Sequence, residues 1–382
     1  MAISCTGQIF RIYQFFIFLV CAICAILPFL AFAQPSDTSV SQGNPFLWGV
    51  QAHRGFILPH STAIANVSHS NPFGLEIRGM WLRAEERHTR KSGLVTQRGF
   101  LVNYINFDNP EVLGSSASAV ALIEPLIRPG GQLYGAVQMG AGVTFLSKVY
   151  DETTNPTNLF FSTLLSFTGM VNAKLYYRLN PHCELSLGYN YNHISNGGMK
   201  LPNKGMNFPM ANVGFQYHAR PIKLNRPLKT DEWKQQPRNY AYALGIGSIK
   251  TAQATPDFPT NEYTLLLGAW GVVGRQIGRL SGVSAGTEWV HDGWAREIQD
   301  RKGLDKSAWK GAMLLGYEVL AGRTRFGIHF GAYVFNPSGD VDPVYQRYSL
   351  LYRLGDHLIL GATMKTHRQV ADVIDVRMGW LW

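Results

Sequence analysis

Alternation with a period of two runs along most of this chain, and it constrains the fold more than any other feature. In residues 132–149 the odd positions hold Leu133, Gly135, Val137, Met139, Ala141, Val143 and Phe145. The even positions hold Gln132, Tyr134, Ala136, Gln138, Gly140, Gly142 and Thr144. Near residue 75, Phe73, Leu75, Ile77 and Trp81 alternate with Glu76 and Arg78. At the C-terminus, Ile374, Val376, Met378, Trp380 and Trp382 alternate with Asp375, Arg377 and Gly379. Successive side chains of a strand point to opposite faces, so each segment predicts a strand with one apolar and one polar or small face. Turn residues such as Asn180-Pro181 and Pro129-Gly130-Gly131 separate the segments, and no long amphipathic helix stands out.

Composition narrows the choice. Charged residues make up 16% of the 382, below the roughly 25% of ordinary globular proteins. Aromatic residues reach 12% and hydrophobic residues 46%, which excludes a disordered chain. Heptads of a coiled coil are missing. Only one apolar run approaches the roughly 20 residues that a spanning helix needs. A soluble sandwich or a transmembrane barrel remains. The polar faces are rich in Gly, Ser, Asn and Gln, as a barrel interior is, and the chain ends on Trp382, closing an alternating strand. These features predict an all-β fold: a transmembrane antiparallel β-barrel of the outer-membrane type. Lipid leaves unpaired backbone groups unsatisfied, so the sheet must close. The candidate segments suggest a single wide barrel over residues 34–382 with about 12 to 14 strands, 14 being favoured. A soluble periplasmic β-protein is the rival.

Residues 11–33 read as a secretory signal: Arg11, an apolar run broken by Pro28, then Ala31-Phe32-Ala33. Cleavage would leave a chain beginning near Gln34. Cys21 and Cys24 follow Val20 and Ile23, which do not suit a lipoprotein site. Removal of residues 1–33 leaves Cys183 as the one cysteine, so no internal disulfide is expected. It also takes away Arg11 and no acid, so the formal charge goes from +10 to +9. That charge suits anionic lipid or saccharide, and an exported chain without a basic cluster is no nucleic-acid binder. Residues 223–238 and 291–307 read as charged loops, the second with a short helix.

The stretch 183–217 carries the chemistry. Leu185, Leu187, Tyr189 and Tyr191 share one face, and Ser186, Gly188, Asn190 and Asn192 the other. Parity continues the apolar face to His193 and Ser195, beyond the tyrosines that mark an interfacial belt. On the returning strand Val213, Phe215 and Tyr217 are apolar, and parity puts Asn207 on the outward face with His193 and Ser195. A serine and a histidine with a third orienting group form the nucleophile–base–orienter pattern of acyl transfer. Asn196 and the N–H groups of Gly197 and Gly198 are candidate oxyanion donors. An isolated His-x-Ser means little, and Asn-Gly-Gly is ordinary turn chemistry. Parity, boundary position and Asn207 in combination single these residues out.

His193-Ile194-Ser195-Asn196-Gly197-Gly198, followed by Pro202-Asn203-Lys204-Gly205-Met206-Asn207, resembles the signature of the outer-membrane lipid A 3-O-deacylases, the PagL-like or acyloxyacyl hydrolase-like proteins. Asn109 to Gly114 and Tyr150 to Pro156 also resemble longer members. The resemblance covers about residues 45–220. It implies a serine esterase on the outer surface of a barrel that cleaves an ester-linked acyl chain from lipid A. Lipopolysaccharide would be its substrate, outer-membrane lipid its surroundings and no cofactor its requirement. His193 would be the general base, Ser195 the nucleophile, Asn207 the third catalytic residue, and Asn196, Gly197 and Gly198 the oxyanion hole. There are two departures. Small members carry Glu as the third member, and Asn207 supplies no negative charge for the imidazolium. That leaves slower catalysis, another orienter or no catalysis open. Small members are also eight-stranded, whereas this chain runs far beyond the motif, which suggests a wider barrel with a lumen. A non-enzymatic channel or structural barrel that retains the motif is the alternative.

Other residues point to less. Glu184 faces the interior by parity and cannot replace the missing carboxylate. His53 and His60 flank an early apolar strand, and eleven histidines without acids or thiols at ligand spacing predict no metal site. His291-Asp292 reads as solvated loop, and Trp380 and Trp382 as belt and barrel closure. Oligomeric state and the acyl position cleaved are not legible.

Overall fold

The computed structural model describes residues 45–84, 89, 93–221, 231–368 and 370–382. The expected signal segment, its cleavage point and the first half of the 223–238 loop lie outside the described residues. Within them the chain is all-β, in sixteen antiparallel strands that close into two separate barrels of eight.

The first barrel comprises β1 (Phe46–Gly55), β2 (Phe73–Arg83), β3 (Thr96–Asn106), β4 (Ser115–Ile127), β5 (Leu133–Leu146), β6 (Leu165–Arg178), β7 (Cys183–Ser195) and β8 (Met206–His218). Sequence neighbours pair, and β8 returns to β1, with Leu47 opposite His218 and Gly55 opposite Met210. The second comprises β9 (Asn239–Ala252), β10 (Glu262–Gln276), β11 (Ser281–Asp292), β12 (Trp309–Ala321), β13 (Thr324–Phe335), β14 (Val344–Leu354), β15 (Leu358–His367) and β16 (Val370–Leu381). It closes through β16 on β9, from Val376 opposite Gly247 to Leu381 opposite Tyr242.

The antiparallel outer-membrane class is as the alternation predicts, but the single barrel of 12 to 14 strands over residues 34–382 is corrected to two eight-stranded closures. Period-two patterning specifies a strand and its faces, and short turns specify hairpin partners. Neither says which strand makes the long-range closing pair. The expected lumen is corrected with it. Eight strands leave an interior just wide enough for side chains, and this chain supplies large ones.

In the first barrel Glu124 accepts from Tyr176 Oη at 2.6 Å and Lys174 Nζ at 3.4 Å. Glu184 accepts from Tyr134 Oη at 2.7 Å and pairs with His218 Nε2 at 2.9 Å and Arg178 Nε at 3.1 Å. In the second, Arg347 and Arg377 bridge Glu288 and Asp375. Glu318 meets Tyr242 Oη at 3.0 Å and Arg325 Nη1 at 3.1 Å.

The outer faces are the reverse. Leu75 is 67% exposed and Ile77 60%, whereas Glu76 and Arg78, their neighbours in the pleat, are each 1% exposed. Water would strip apolar surface of that extent of its stability, since each Å² costs about 25 cal/mol. A lipid surround removes the cost, and the soluble alternative fails on this inside-out pattern.

The connections of the first barrel fall into two sets. Segments 56–72, 107–114, 147–164 and 196–205 meet at one end; 128–132 and 179–182 are tight turns at the other. Outer-membrane barrels place long loops outside and short turns in the periplasm, so the long-loop end is the outer one. There an apolar cluster including Ile64, Phe107, Phe160, Phe161, Ile194 and Phe208 packs the loops together. In the second barrel a short helix, α1 (Gly293–Arg301), fills the expected 291–307 loop. Asp292 is not the solvated loop residue expected: it is buried, caps α1 at Ala295 N and holds Lys310 Nζ at 2.9 Å. Among the described residues no helix is long and apolar enough to cross a membrane.

Candidate active site at the outer end of the first barrel

The outward row of β7 runs Leu185, Leu187, Tyr189, Tyr191, all exposed. The next outward positions are His193, half-buried, and Ser195, buried. Burial of an outward-facing pair comes from the loops, which fold over this end of the strand. Lys204 N donates to Leu159 O and Gly205 N to Phe160 O, at 3.0 and 3.2 Å. Ile194, between the two polar residues, points the other way into the apolar cluster.

β8 brings Asn207 directly opposite His193 in the ladder. Their side chains meet at 2.6 Å, His193 Nδ1 to Asn207 Oδ1. An amide oxygen only accepts, so Nδ1 carries the proton and Nε2 of the neutral ring is bare. This is the tautomer a general base requires. On the other flank of His193 stands Gly169 of β6, and nothing lies within 4 Å of where its Cβ would be. Open space therefore adjoins the imidazole on the lipid-facing side.

Ser195 is on the same face as His193, opposite Phe167, but no hydrogen bond joins its hydroxyl to the imidazole. The structure thus unites His193 with Asn207 and sets Ser195 beside them without closing the last link. Hydrogen bonds between nucleophile and base are commonly long without substrate and tighten on binding.

Asn196 differs from expectation. Its N–H donates to Asn203 Oδ1 at 3.1 Å, and its amide Nδ2 donates to Ser162 Oγ at 3.0 Å and Lys200 O at 2.8 Å. With these donors engaged it is a brace between two loops. Gly197 and Gly198 follow in left-handed conformations, φ 68° and 83°, which turn the chain sharply. Asn203, with its Oδ1 facing Asn196, keeps its Nδ2 as the donating side.

Sequence reasoning missed His60. Past β1 the chain continues along β8: Phe56 N donates to Pro209 O at 3.2 Å and Leu58 N to Asn207 O at 2.8 Å. This run delivers His60 to the site, with Nε2 2.9 Å from Lys204 O and Nδ1 3.5 Å from Asn207 Nδ2. Ser61 then caps a short 3-10 turn, Thr62–Val67, whose Ile64 and Val67 are buried. The contact separates residues far apart in the chain, and no local pattern signals it. Glu184 is inside the barrel, as parity requires.

Gly205 has φ 68°, and a Cβ there would stand 3.0 Å from His193 Cε1 and 3.3 Å from Ser195 Cβ. Gly205→Ala is expected to lower stability by about 1–2 kcal/mol from the left-handed backbone alone and to displace the imidazole. Urea unfolding would show the first effect, and the His193 ring resonances the second.

Outward apolar rows, charged interiors and closed antiparallel sheets define an outer-membrane β-barrel protein. Comparison with known proteins carries this further. Residues 73–216 match the family model described as lipid A 3-O-deacylase (PagL). Residues 238–382 match that of the acyloxyacyl hydrolase C-terminal domain, PagL_C. The chain belongs to the PagL family. Among solved structures, the outer membrane enzyme PagL is 20% identical over 44% of this chain and 97% of its own, with a TM-score of 0.33. Neisserial surface protein A is 14% identical over 46% of this chain and 99% of its own, TM-score 0.32. The β-domain of the Bordetella autotransporter BrkA is 10% identical over 89% and 99%, TM-score 0.26. A search of the curated proteins finds no match.

Proposed function

We propose that this protein is a serine esterase of the Gram-negative outer membrane that removes an ester-linked acyl chain from lipid A. Family membership supports the substrate class. The observation that carries the reading is the 2.6 Å hydrogen bond from His193 Nδ1 to Asn207 Oδ1, which leaves Nε2 bare on the strand face that Ser195 shares. In the proposed mechanism Ser195 Oγ attacks the ester carbonyl while His193 Nε2 takes its proton. The imidazolium then returns that proton to the departing sugar alkoxide, and water repeats the sequence on the acyl-enzyme. Asn207 orients the imidazole without a charge. The turn of Gly197 and Gly198 is the proposed source of oxyanion donors, and Asn196 braces that turn. No cofactor is needed for this chemistry.

The position suits a lipid substrate. The pair lies on the outward face at the long-loop end, where the outer leaflet meets the barrel. An acyl chain can lie along Leu187, Tyr189 and Tyr191 with its ester near the open space above Gly169. The test is mass spectrometry of lipid A from cells that express the protein. Loss of the mass of one hydroxyacyl chain is expected; lipid A identical to that of an empty-vector control refutes the proposal.

A structural barrel without activity is the second reading, and the unclosed link between Ser195 and His193 favours it. A channel is disfavoured by the side chains that fill both interiors. The same spectra decide between the esterase and the structural barrel.

A further inference from the structure

We infer that His60 is a positioning residue, which holds the side-chain amide of Asn207 in the one orientation that makes His193 a base. The inference rests on the esterase reading above. The Lys204 carbonyl can only accept, so at 2.9 Å His60 Nε2 must carry the proton. The neutral ring then presents a bare Nδ1, and Asn207 Nδ2 donates to it at 3.5 Å. With Nδ2 turned to His60, Oδ1 is left for His193 Nδ1, 2.6 Å away. The Lys204 carbonyl thereby sets the polarity of three groups in series: His60, Asn207 and then His193.

An amide has two orientations of almost equal shape and opposite polarity. If Asn207 were reversed, Nδ2 would face His193 Nδ1, and the proton would have to move to Nε2. That tautomer cannot accept the proton of Ser195. A carboxylate at this position would accept through either oxygen and would need no such guidance. The amide therefore creates a requirement, and His60 is the group that meets it. His60 is itself well held, between the Leu58–Asn207 backbone bond and the turn capped by Ser61.

The experiment is a cycle of variants in detergent-purified full-length protein: wild type, His60→Phe, Asn207→Asp and the double variant, each shown to be folded by heat-modifiable migration. His60→Phe is expected to lower kcat for acyl release about 10- to 100-fold, as loss of an orienting partner does, with little change in KM. In the Asn207→Asp background the same replacement is expected to cost little. An equal loss in both backgrounds shows a merely structural role and overturns the inference. Should His60→Phe not fold, His60→Gln takes its place in the cycle.

Nitrogen NMR of histidine-labelled protein reads the tautomer without any turnover. The wild type is expected to show His193 protonated at Nδ1, His60→Phe a mixture, and the double variant a return to Nδ1–H. Unchanged Nδ1–H in His60→Phe overturns the inference. If the wild type releases no acyl chain, the esterase reading falls, and the tautomer measurement still decides the role of His60.

Discussion

Ser195→Ala is expected to abolish acyl release while the barrel stays folded. The replaced hydroxyl is the proposed nucleophile, and His193 and Asn207 have nothing to activate without it. Removal of the nucleophile from a serine hydrolase of this type costs on the order of 10⁶ in kcat, because its partners act as a unit. The fold should not register the change. Ser195 Oγ takes part in no hydrogen bond that braces the loops; Asn196, next to it, carries those. The measurement is acyl release from lipid A in detergent, with heat-modifiable migration on the same samples. Wild-type rates in the variant would remove Ser195 from the mechanism. A matching loss in His193→Ala, no larger when the two are combined, would tie both residues to one step.

The second large effect lies inside the other barrel. Arg347 Nη1 donates to Thr363 Oγ1 and Asp375 Oδ2, both at 2.6 Å, and Nη2 donates to Glu288 Oε1 at 2.7 Å. Arg377 completes the ring through Asp375 Oδ1 at 2.6 Å and Glu288 Oε2 at 3.2 Å, and its guanidinium lies 4.8 Å from the Trp270 ring. Two cations balance two carboxylates, all of them at most 3% exposed. Arg347→Met keeps the length and removes one charge, which leaves two buried carboxylates sharing Arg377. Breaking a buried ion pair by deleting one partner costs about 3–5 kcal/mol. The unfolding midpoint in urea, read by tryptophan fluorescence, should fall accordingly. The lipid-facing Leu315→Ala, outside the same barrel, should move it much less. Equal shifts would mean that the interior network contributes nothing specific.

Much of the site was legible because its members lie within fifteen residues on one hairpin. On β7 and β8, parity alone puts His193, Ser195 and Asn207 on one face, and antiparallel return brings Asn207 opposite His193. What parity does not carry is distance. It could not show that the Asn207 bond forms and the Ser195 bond does not, nor that Asn196 would use its donors on Asn203, Ser162 and Lys200. His60 was invisible for a further reason. Its role depends on a strand extension that runs along β8, more than a hundred residues later in the chain.

The fold divides in the same way. Alternating faces, the apolar exterior and the closed outer-membrane class follow from the chain itself, because side-chain direction in a strand is a local property and lipid forbids open edges. The number of closures does not follow. Whether β8 bonds to β1 or onward to β9 is a choice between backbone ladders of similar chemistry, and sequence pattern is silent on it. The tertiary structure decides it in favour of two barrels, each filled by its own ion pairs: Glu124, Lys174 and Tyr176 in one, Glu288, Arg347, Asp375 and Arg377 in the other. Side chains large enough to fill a narrow interior, and able to pair with one another there, suit a closure of eight strands.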